Sequence, residues 1–328
     1  MKNNDSTTRG MVLGKFLPPH KGHRYLFEFA QQYVDELTIV VESMRNQPIP
    51  GELRFQWVKE MMPNSNVVHL TDENPQCPSE TPDFWQIWKD SLNRILPSPV
   101  DYVFASEDYG WKLAETLNAE FVPVDIQRVA VPVSGTTIRE NPMEYWDYLP
   151  RVVRPYFAKR VCVFGPESTG KSTLTKHLAD HFKTSFVPEY ARTHLEPKDG
   201  NIVLADMLKI AKGQLLSEDA LVLNANRVLF CDTDLIATTI WSDWLFGECD
   251  PWVMEQANSR QYDLYLLTDV DVPWVADAVR YLPEERTSFL KRCEQELNDR
   301  NRRFVKLIGD WDQKLTTAIA SVEELLSG

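Results

Sequence analysis

The sequence predicts an α/β protein with two domains, each built on a doubly wound parallel sheet. Short apolar stretches that read as buried strands alternate with amphipathic helical stretches along the 328 residues. Twice, a strand runs through a glycine-containing turn directly into a helix, first near residue 14 and again near residue 165. A chain of this length is typical of about two domains. Because ligands bind at the carboxyl ends of parallel strands, both turns are candidate sites.

Composition limits the classes of function. The net charge of −13 argues against a general nucleic-acid surface, which needs a basic face. No apolar run approaches the roughly 18 residues that cross a bilayer, and the polar N-terminus lacks the apolar core of a signal peptide. We therefore expect a cytoplasmic protein without membrane insertion or nucleic-acid binding.

The second turn has the sequence GPESTGKS at 165–172, which fits the pattern G-x-x-x-x-G-K-[ST]. A predicted strand at 160–164 precedes it and a predicted helix at 173–182 follows it, which is the setting of a P-loop rather than of an ordinary glycine-rich turn. Lys171 would reach the β- and γ-phosphates of ATP, and Ser172 would hold Mg²⁺. The predicted ATP contacts of this loop are Gly165, Glu167, Ser168, Thr169, Gly170, Lys171, Ser172 and Thr173.

The first turn carries two histidines in the pattern H-x-G-H, His20 and His23. It follows a strand expected over 10–16 and begins a helix, so both rings can face one anion at the helix N-terminus. Gly22 permits close approach of the backbone. Further strands are expected at 37–41, 67–70, 101–105 and 121–124, and further helices at 52–62, 83–96 and 109–117.

With this motif the chain resembles the nucleotidylyltransferase superfamily, in which H-x-G-H is the ATP signature. The later sequence SGTTIR at 134–139 is similar to the second motif of that superfamily, although alone it could be a capped helix start. The resemblance implies that both motifs grip the triphosphate while a substrate phosphate attacks the α-phosphorus. It implies ATP contacts from Gly14, Lys15, Phe16, His20, His23, Ser134, Thr136 and Arg139, with His20, His23 and Arg139 catalytic.

Two tryptophans three residues apart, Trp85 and Trp88, lie on a predicted helix. Such a pair is usually core, but a tryptophan face can also bind an aromatic cation. These residues and the stretch FASEDYG at 104–110 resemble the NadR-type bifunctional proteins, which join nicotinamide mononucleotide (NMN) adenylyltransferase to ribosylnicotinamide kinase. The resemblance implies that Trp85 stacks on the nicotinamide ring, and we assign Trp85, Glu107 and Arg54 to NMN.

In the second half, strands are expected at 228–232, 263–267 and 304–308, and helices around 205–224 and 313–326. Asp232 ends the strand expected beside the P-loop, so with Ser172 it is the candidate Mg²⁺ ligand and a catalytic residue beside Lys171. We assign ribosylnicotinamide to Glu189, Arg192 and Trp274. Arg280 and Arg286 would close on ATP from a lid spanning 274–292, unless that stretch is only a charged surface helix. The family's D-G-x-R lid pattern reads DAVR here at 277–280.

The resemblance covers essentially residues 10–326. It implies a disordered segment at 1–9, an adenylyltransferase domain at 10–150 and a P-loop kinase domain at 151–328. It also implies a cytoplasmic, Mg²⁺-dependent enzyme of NAD salvage with the partners ATP, NMN, ribosylnicotinamide and NAD. Fewer than a dozen residues precede the first strand, so the repressor domain of some members is not expected. A homo-oligomer, a nucleotide-sensing regulator and an enzyme for another small phosphorylated metabolite, as in coenzyme A biosynthesis, stay open.

Overall fold

Parallel strands form two separate five-stranded sheets, one in each half of the chain. The computed structural model describes residues 7–275, 281 and 284–327. The chain divides into compact units at 1–153 and 154–328, whereas the sequence placed the boundary between 150 and 151. The predicted fold class, two parallel α/β sheets, is confirmed.

The sheet of the first unit reverses its order beside its first strand. Its elements are β1 (Arg9–Gly14), α1 (Lys21–Tyr33), β2 (Glu36–Glu42), α2 (Gly51–Met61), β3 (Asn66–Leu70), α3 (Phe84–Ile95), β4 (Tyr102–Ala105), α4 (Tyr109–Leu117), β5 (Glu120–Pro123) and α5 (Gly135–Glu140), followed by a 3₁₀ turn at Trp146–Tyr148. The strand order is β3-β2-β1-β4-β5, all parallel. The order therefore switches between β1 and β4, where open α/β sheets bind their ligands.

The sheet of the second unit is centred on the strand before the P-loop. Its elements are α6 (Arg154–Phe157), β6 (Lys159–Phe164), α7 (Lys171–Phe182), β7 (Phe186–Val187), α8 (Tyr190–Leu195), α9 (Leu204–Leu221), β8 (Val228–Asp232), α10 (Leu235–Phe246), α11 (Pro251–Ser259), β9 (Leu264–Thr268), α12 (Arg286–Asp299), β10 (Phe304–Leu307) and α13 (Trp311–Ser327), with 3₁₀ turns at Glu196–Lys198 and Val222–Asn224. The order β10-β9-β6-β8-β7 places β8 beside β6, so Asp232 neighbours the P-loop.

Three parts of the chain differ from expectation. The segment at 1–9 was expected to be disordered, but Thr8 hydrogen-bonds Asp35 and Arg9 begins β1, while residues 1–6 lie outside the described residues. Helices α10 and α11 were not predicted. Within the charged stretch expected at 274–292, the described helix begins at Arg286, and residues 276–280 and 282–283 lie outside the described residues. No helix in the described ranges combines the length and the apolar character that a membrane crossing requires.

Candidate active sites

A cavity of about 620 Å³ opens at the switch point of the first sheet, between the carboxyl ends of β1 and β4. It brings together nearly all the residues that the sequence assigned to ATP and NMN in this half of the chain. Those that line it are Gly14, Lys15, Phe16, His20, His23, Trp85, Glu107, Ser134, Thr136 and Arg139. Residues up to 125 positions apart therefore share one concave surface, as a binding site for two substrates requires.

The two histidines cap the helix α1 that follows β1. The Nδ1 atom of His20 accepts a hydrogen bond from the Gly22 backbone N–H at 3.1 Å, and that of His23 accepts one from the His20 N–H at 3.3 Å. Their rings stack with centroids 3.7 Å apart. Because each Nδ1 is an acceptor, each neutral ring carries its proton on Nε2. The pair therefore holds two ring N–H donors at the helix N-terminus.

Both imidazoles stay neutral at physiological pH. Burial, followed by the positive charge of Arg128, lowers the pKa of His20 from 6.5 to about 4. Burial, then His20 and Arg128, holds the pKa of His23 well below its usual value. Neutral histidines can donate hydrogen bonds to an anion, while Lys15, Arg128 and Arg139 supply the positive charge of the cavity.

The lowered pKa of His20 predicts a loss of stability in mild acid. Between pH 6.5 and about 4 the unfolded chain takes up a proton at His20 that the folded chain does not, so the free energy of unfolding falls by up to roughly 3 kcal/mol. His20→Asn keeps a side-chain acceptor for the Gly22 N–H and removes this titration. Urea titrations at pH 7, 6, 5 and 4.5 should show a shallower decline for His20→Asn. Identical declines in both proteins would contradict this account.

The second motif packs directly on the first. Ser134 caps α5 by accepting from the Thr137 N–H at 3.1 Å. A Cβ on Gly135 would lie 2.6 Å from the Leu17 carbonyl oxygen, so only glycine allows this approach. Arg139 donates to the same carbonyl and, at 3.1 Å, to the Thr136 hydroxyl. The start of α5 and the H-x-G-H turn are thereby held together as one surface.

On the other side of the cavity, Trp85 is half-buried and Trp88 is buried. The Nε1 of Trp88 donates to the Pro75 carbonyl at 2.9 Å, so this indole is anchored in the wall. Glu107 pairs with Arg128 at 3.1 Å. Arg128 was missed by the sequence reasoning. Arg128 lies in a loop in which the backbone N–H groups of residues 129–131 donate to the Asp125 carboxylate. This loop contains no recognised sequence motif that would have pointed to Arg128.

Arg54 does not line this cavity, which corrects its assignment to NMN. Its side chain is fully buried and donates to the backbone carbonyls of Ile49, Glu42 and Lys15 and to the Gln47 side chain. Four of the five guanidinium N–H donors are engaged in this way, and full burial keeps the group away from a substrate. Arg54 instead holds the turn after β1 against the turn after β2.

The P-loop of the second unit has the geometry that its pattern predicts. Gly165 and Gly170 have φ of +135° and +86°, values that favour glycine. A Cβ on Gly165 would lie 2.6 Å from the Thr268 hydroxyl, so the loop starts tightly against β9. Lys171, the first residue of α7, donates to the Pro166 carbonyl at 2.7 Å across the loop.

Asp232 lies at the carboxyl end of β8, 2% exposed, with the Ser172 hydroxyl bonded to its carboxylate. Its Oδ1 has no hydrogen-bond partner within the described part of the chain. Burial and the charge of Glu189 raise the pKa of Asp232 to about 6. An orphaned carboxylate oxygen beside a P-loop serine fits a divalent cation. Asp234, by contrast, caps α10 through the Ala237 N–H at 3.1 Å.

A second cavity, of about 140 Å³, extends from the P-loop between α8, α9 and α10. Besides the loop, it is lined by Glu189 and Arg192, as predicted for a substrate site, and by side chains that the sequence reasoning missed. The latter are Ala191, Leu195, Ile202, Met207, Ile210, Gln214, Thr233, Ala237, Thr238, Trp241, Leu245 and Tyr281. Many of these added side chains are apolar, and one indole and one phenol are among them. Trp241 comes from α10, which was not predicted, so no sequence signal pointed to it.

The lid assignments are changed by the structure. Trp274 does not line the cavity, and Arg286 lies 5.9 Å from its ring and donates to the Val272 carbonyl at 2.9 Å. Arg286 is only 9% exposed, so it braces the segment rather than reaching ATP from the position predicted. Arg280 lies outside the described residues. Tyr281 contacts the P-loop through its N–H, which donates to Glu167 at 2.8 Å.

Comparisons with known proteins found relatives of this chain. A family model described as an AAA domain matches residues 160–314, the P-loop half. The NadR protein of Escherichia coli, described as a trifunctional NAD biosynthesis/regulator protein, is 32% identical over 97% of this chain and 83% of its own length. The chain belongs to the NadR family. The NadR protein of Salmonella typhimurium, which has the same description, is 31% identical over 97% of this chain and 83% of its own length.

Solved NadR structures share the fold. One, a NadR protein in complex with NR, has a TM-score of 0.82 at 24% identity and covers 98% of this chain and 97% of its own. Another, in complex with NAD and AMP-PNP, has a TM-score of 0.80 at the same identity and the same coverage. The NadR fold therefore accounts for both sheets of this chain.

Proposed function

We propose that this NadR-family protein makes NAD⁺ from ribosylnicotinamide in two steps. The second unit transfers the γ-phosphoryl group of ATP to the 5′-hydroxyl of ribosylnicotinamide, giving NMN. The first unit transfers the adenylyl group of a second ATP to NMN, giving NAD⁺ and pyrophosphate. The observation that carries the proposal is the pair of complete phosphate sites, H-x-G-H packed on SGTTIR and a P-loop beside Asp232, in one NadR-family chain. A cytoplasmic location fits these metabolites.

Adenylyl transfer needs charge neutralisation and positioning rather than a covalent intermediate. The NMN phosphate attacks the α-phosphorus while pyrophosphate leaves. The Nε2–H groups of His20 and His23 donate to the phosphate oxygens, and Arg139 and Lys15 offset the charge that builds up in the transition state. Arg128, held by Glu107 and near enough to lower the pKa of both histidines, adds a third cation.

In the kinase unit, the P-loop amides and Lys171 hold the β- and γ-phosphates. Mg²⁺ would be held by Ser172 and Asp232 and would offset phosphate charge during transfer. Among the described residues no cluster of three or more His, Cys, Asp or Glu side chains could hold a metal ion. The raised pKa of Asp232 also suits a carboxylate that accepts the proton of the 5′-hydroxyl.

The proposal is tested by incubating the purified protein with ATP, Mg²⁺ and either ribosylnicotinamide or NMN. NAD⁺ should form from both, with pyrophosphate released and NMN appearing as an intermediate only from ribosylnicotinamide. Omitting Mg²⁺ should stop both reactions. A nucleotide-sensing regulator, the other reading of the sequence, would bind these compounds without turnover. NAD⁺ formation from NMN but not from ribosylnicotinamide would refute the kinase assignment alone.

Trp85 is expected to hold the pyridinium ring of NMN. Trp85→Ala should weaken NMN binding by about 1–2 kcal/mol, the range for a cation against a partly desolvated indole face, and leave the KM for ATP nearly unchanged. Steady-state kinetics of adenylyl transfer provides both constants. Trp111→Ala is the matched control, because Trp111 is 61% exposed and outside the cavity. Equal losses for NMN and ATP would mean that Trp85 supports the whole unit instead.

Asp232 and Glu189 are expected to have separable roles in the kinase. Asp232→Asn should lower kcat about a hundredfold and shift activity to higher Mg²⁺, because it removes a ligand charge and the proton acceptor. Glu189→Gln should mainly raise the KM for ribosylnicotinamide. Kinase rates across a Mg²⁺ titration distinguish the two variants. If Glu189→Gln abolishes kcat while Asp232→Asn is mild, the two roles are reversed.

A further inference from the structure

A glutamine in the wall of the kinase cavity carries an unused hydrogen-bond donor. Gln214 lies on α9 and lines the cavity, yet its side chain is only 2% exposed. Its Oε1 accepts the Tyr190 backbone N–H at 3.0 Å. Its Nε2 is buried without a hydrogen-bond partner among the described residues. A buried donor without an acceptor is costly, so such a group at a cavity wall points to a ligand acceptor.

The orientation of this amide is set by the packing of its neighbours. A Cβ on Gly213 would lie 2.1–2.3 Å from atoms of the Tyr190 ring, so the absence of a side chain lets that ring lie against α9. Tyr190 is thereby held where its N–H meets Gln214. The Oε1 of Gln214 accepts the Tyr190 N–H, and a flip of the amide by 180° would place the NH₂ group against that N–H, donor against donor. The NH₂ group therefore keeps its position.

The position of Gln214 along the cavity indicates which part of a substrate it meets. Tyr190 directly follows Glu189, so the Gln214 amide lies next to the Glu189 stretch of the wall. Met207 and Ile210, two turns and one turn earlier on the same face of α9, also line the cavity, and their apolar side chains suit a ring. Gln214 therefore lies on the side of the sugar rather than the ring.

We infer that Gln214 is a specificity-determining residue that donates from Nε2 to a ribose hydroxyl of the nucleoside, while that diol donates to the Glu189 carboxylate. This inference rests on the proposed kinase function. A hydroxyl can accept one hydrogen bond and donate another, so an amide and a carboxylate side by side are complementary to a vicinal diol. The site would then select ribonucleosides over their deoxy forms.

The test compares kcat/KM for ribosylnicotinamide with that for its 2′-deoxy and 3′-deoxy analogues, in the wild-type protein and in Gln214→Met. For the wild type, kcat/KM should be at least about tenfold lower with at least one analogue than with ribosylnicotinamide, because the buried donor is then left without its acceptor. In Gln214→Met, kcat/KM for ribosylnicotinamide should fall about tenfold. The ratio of kcat/KM for ribosylnicotinamide to that for the same analogue should fall to about twofold or less. The KM for ATP should not change.

Several outcomes would overturn the inference. A Gln214→Met protein that still discriminates as strongly as the wild type excludes a contact to the sugar. If Gln214→Met instead loses the preference in kcat/KM for ribosylnicotinamide over nicotinic acid riboside, Gln214 contacts the carboxamide of the base and not the sugar. If Gln214→Met melts at a much lower temperature, Gln214→Asn, which withdraws the amide by one methylene, provides the same comparison. A wild type that phosphorylates no ribosylnicotinamide refutes the proposed function, whereas unchanged discrimination refutes only the role of Gln214.

Discussion

Lys171→Ala should lower the kinase rate by about a hundred- to a thousandfold and leave the conversion of NMN to NAD⁺ intact. Lys171 begins α7 and lies across the P-loop, where its ammonium group would neutralise the β- and γ-phosphates as charge moves during transfer. The adenylyltransferase residues belong to a different sheet, so no charge there changes.

Coupled assays of NMN formation and of NAD⁺ formation on the same preparation measure both rates. Lys176→Ala is the matched control, because Lys176 is an exposed lysine on the same helix outside the cavity. Its kinase rate should equal that of the wild type. Equal loss of both activities in folded Lys171→Ala would contradict the assignment of one reaction to each unit.

His23→Ala should lower kcat for adenylyl transfer by at least about a hundredfold, the scale for losing one preorganised donor to a developing charge. His23 is held by the His20 N–H and stacked on the His20 ring, so its remaining N–H has a set direction before ATP arrives. Because the contact strengthens as charge develops, kcat should change more than the KM for ATP.

The kinase activity of the same His23→Ala protein is the control, since its site lies in the other unit. A thermal melt shows whether loss of the cap unfolds α1. An increase in the KM for ATP with an unchanged kcat would mean that His23 only binds the nucleotide.

Local patterns were enough to predict where the two candidate phosphate-binding turns lie in the fold. In GPESTGKS and H-x-G-H the chemistry lies within eight residues or fewer, and the strand before and the helix after each can be recognised by their own periodicity. Asp232 could be placed for the same reason, since it ends an apolar run that pairs with β6. The second motif needed a resemblance as well, because SGTTIR alone is also an ordinary capped helix start.

The substrate-facing walls were decided by tertiary structure. From the sequence, Arg54 is expected to be a cation on a helix that is available to substrate. In the folded chain its guanidinium instead donates to backbone carbonyls up to 39 residues away. Trp274 and Trp241 are alike in sequence terms, and only the position of α10 brings Trp241 rather than Trp274 to the cavity. In the sequence, Gln214 is an ordinary polar residue on a helix. Only the packing of Tyr190 at Gly213 fixes which end of the Gln214 amide is bonded and which end is left as a donor. Motifs are local because a phosphate is held by one turn, whereas a nucleoside is enclosed by side chains from several elements, whose meeting depends on packing across the whole unit.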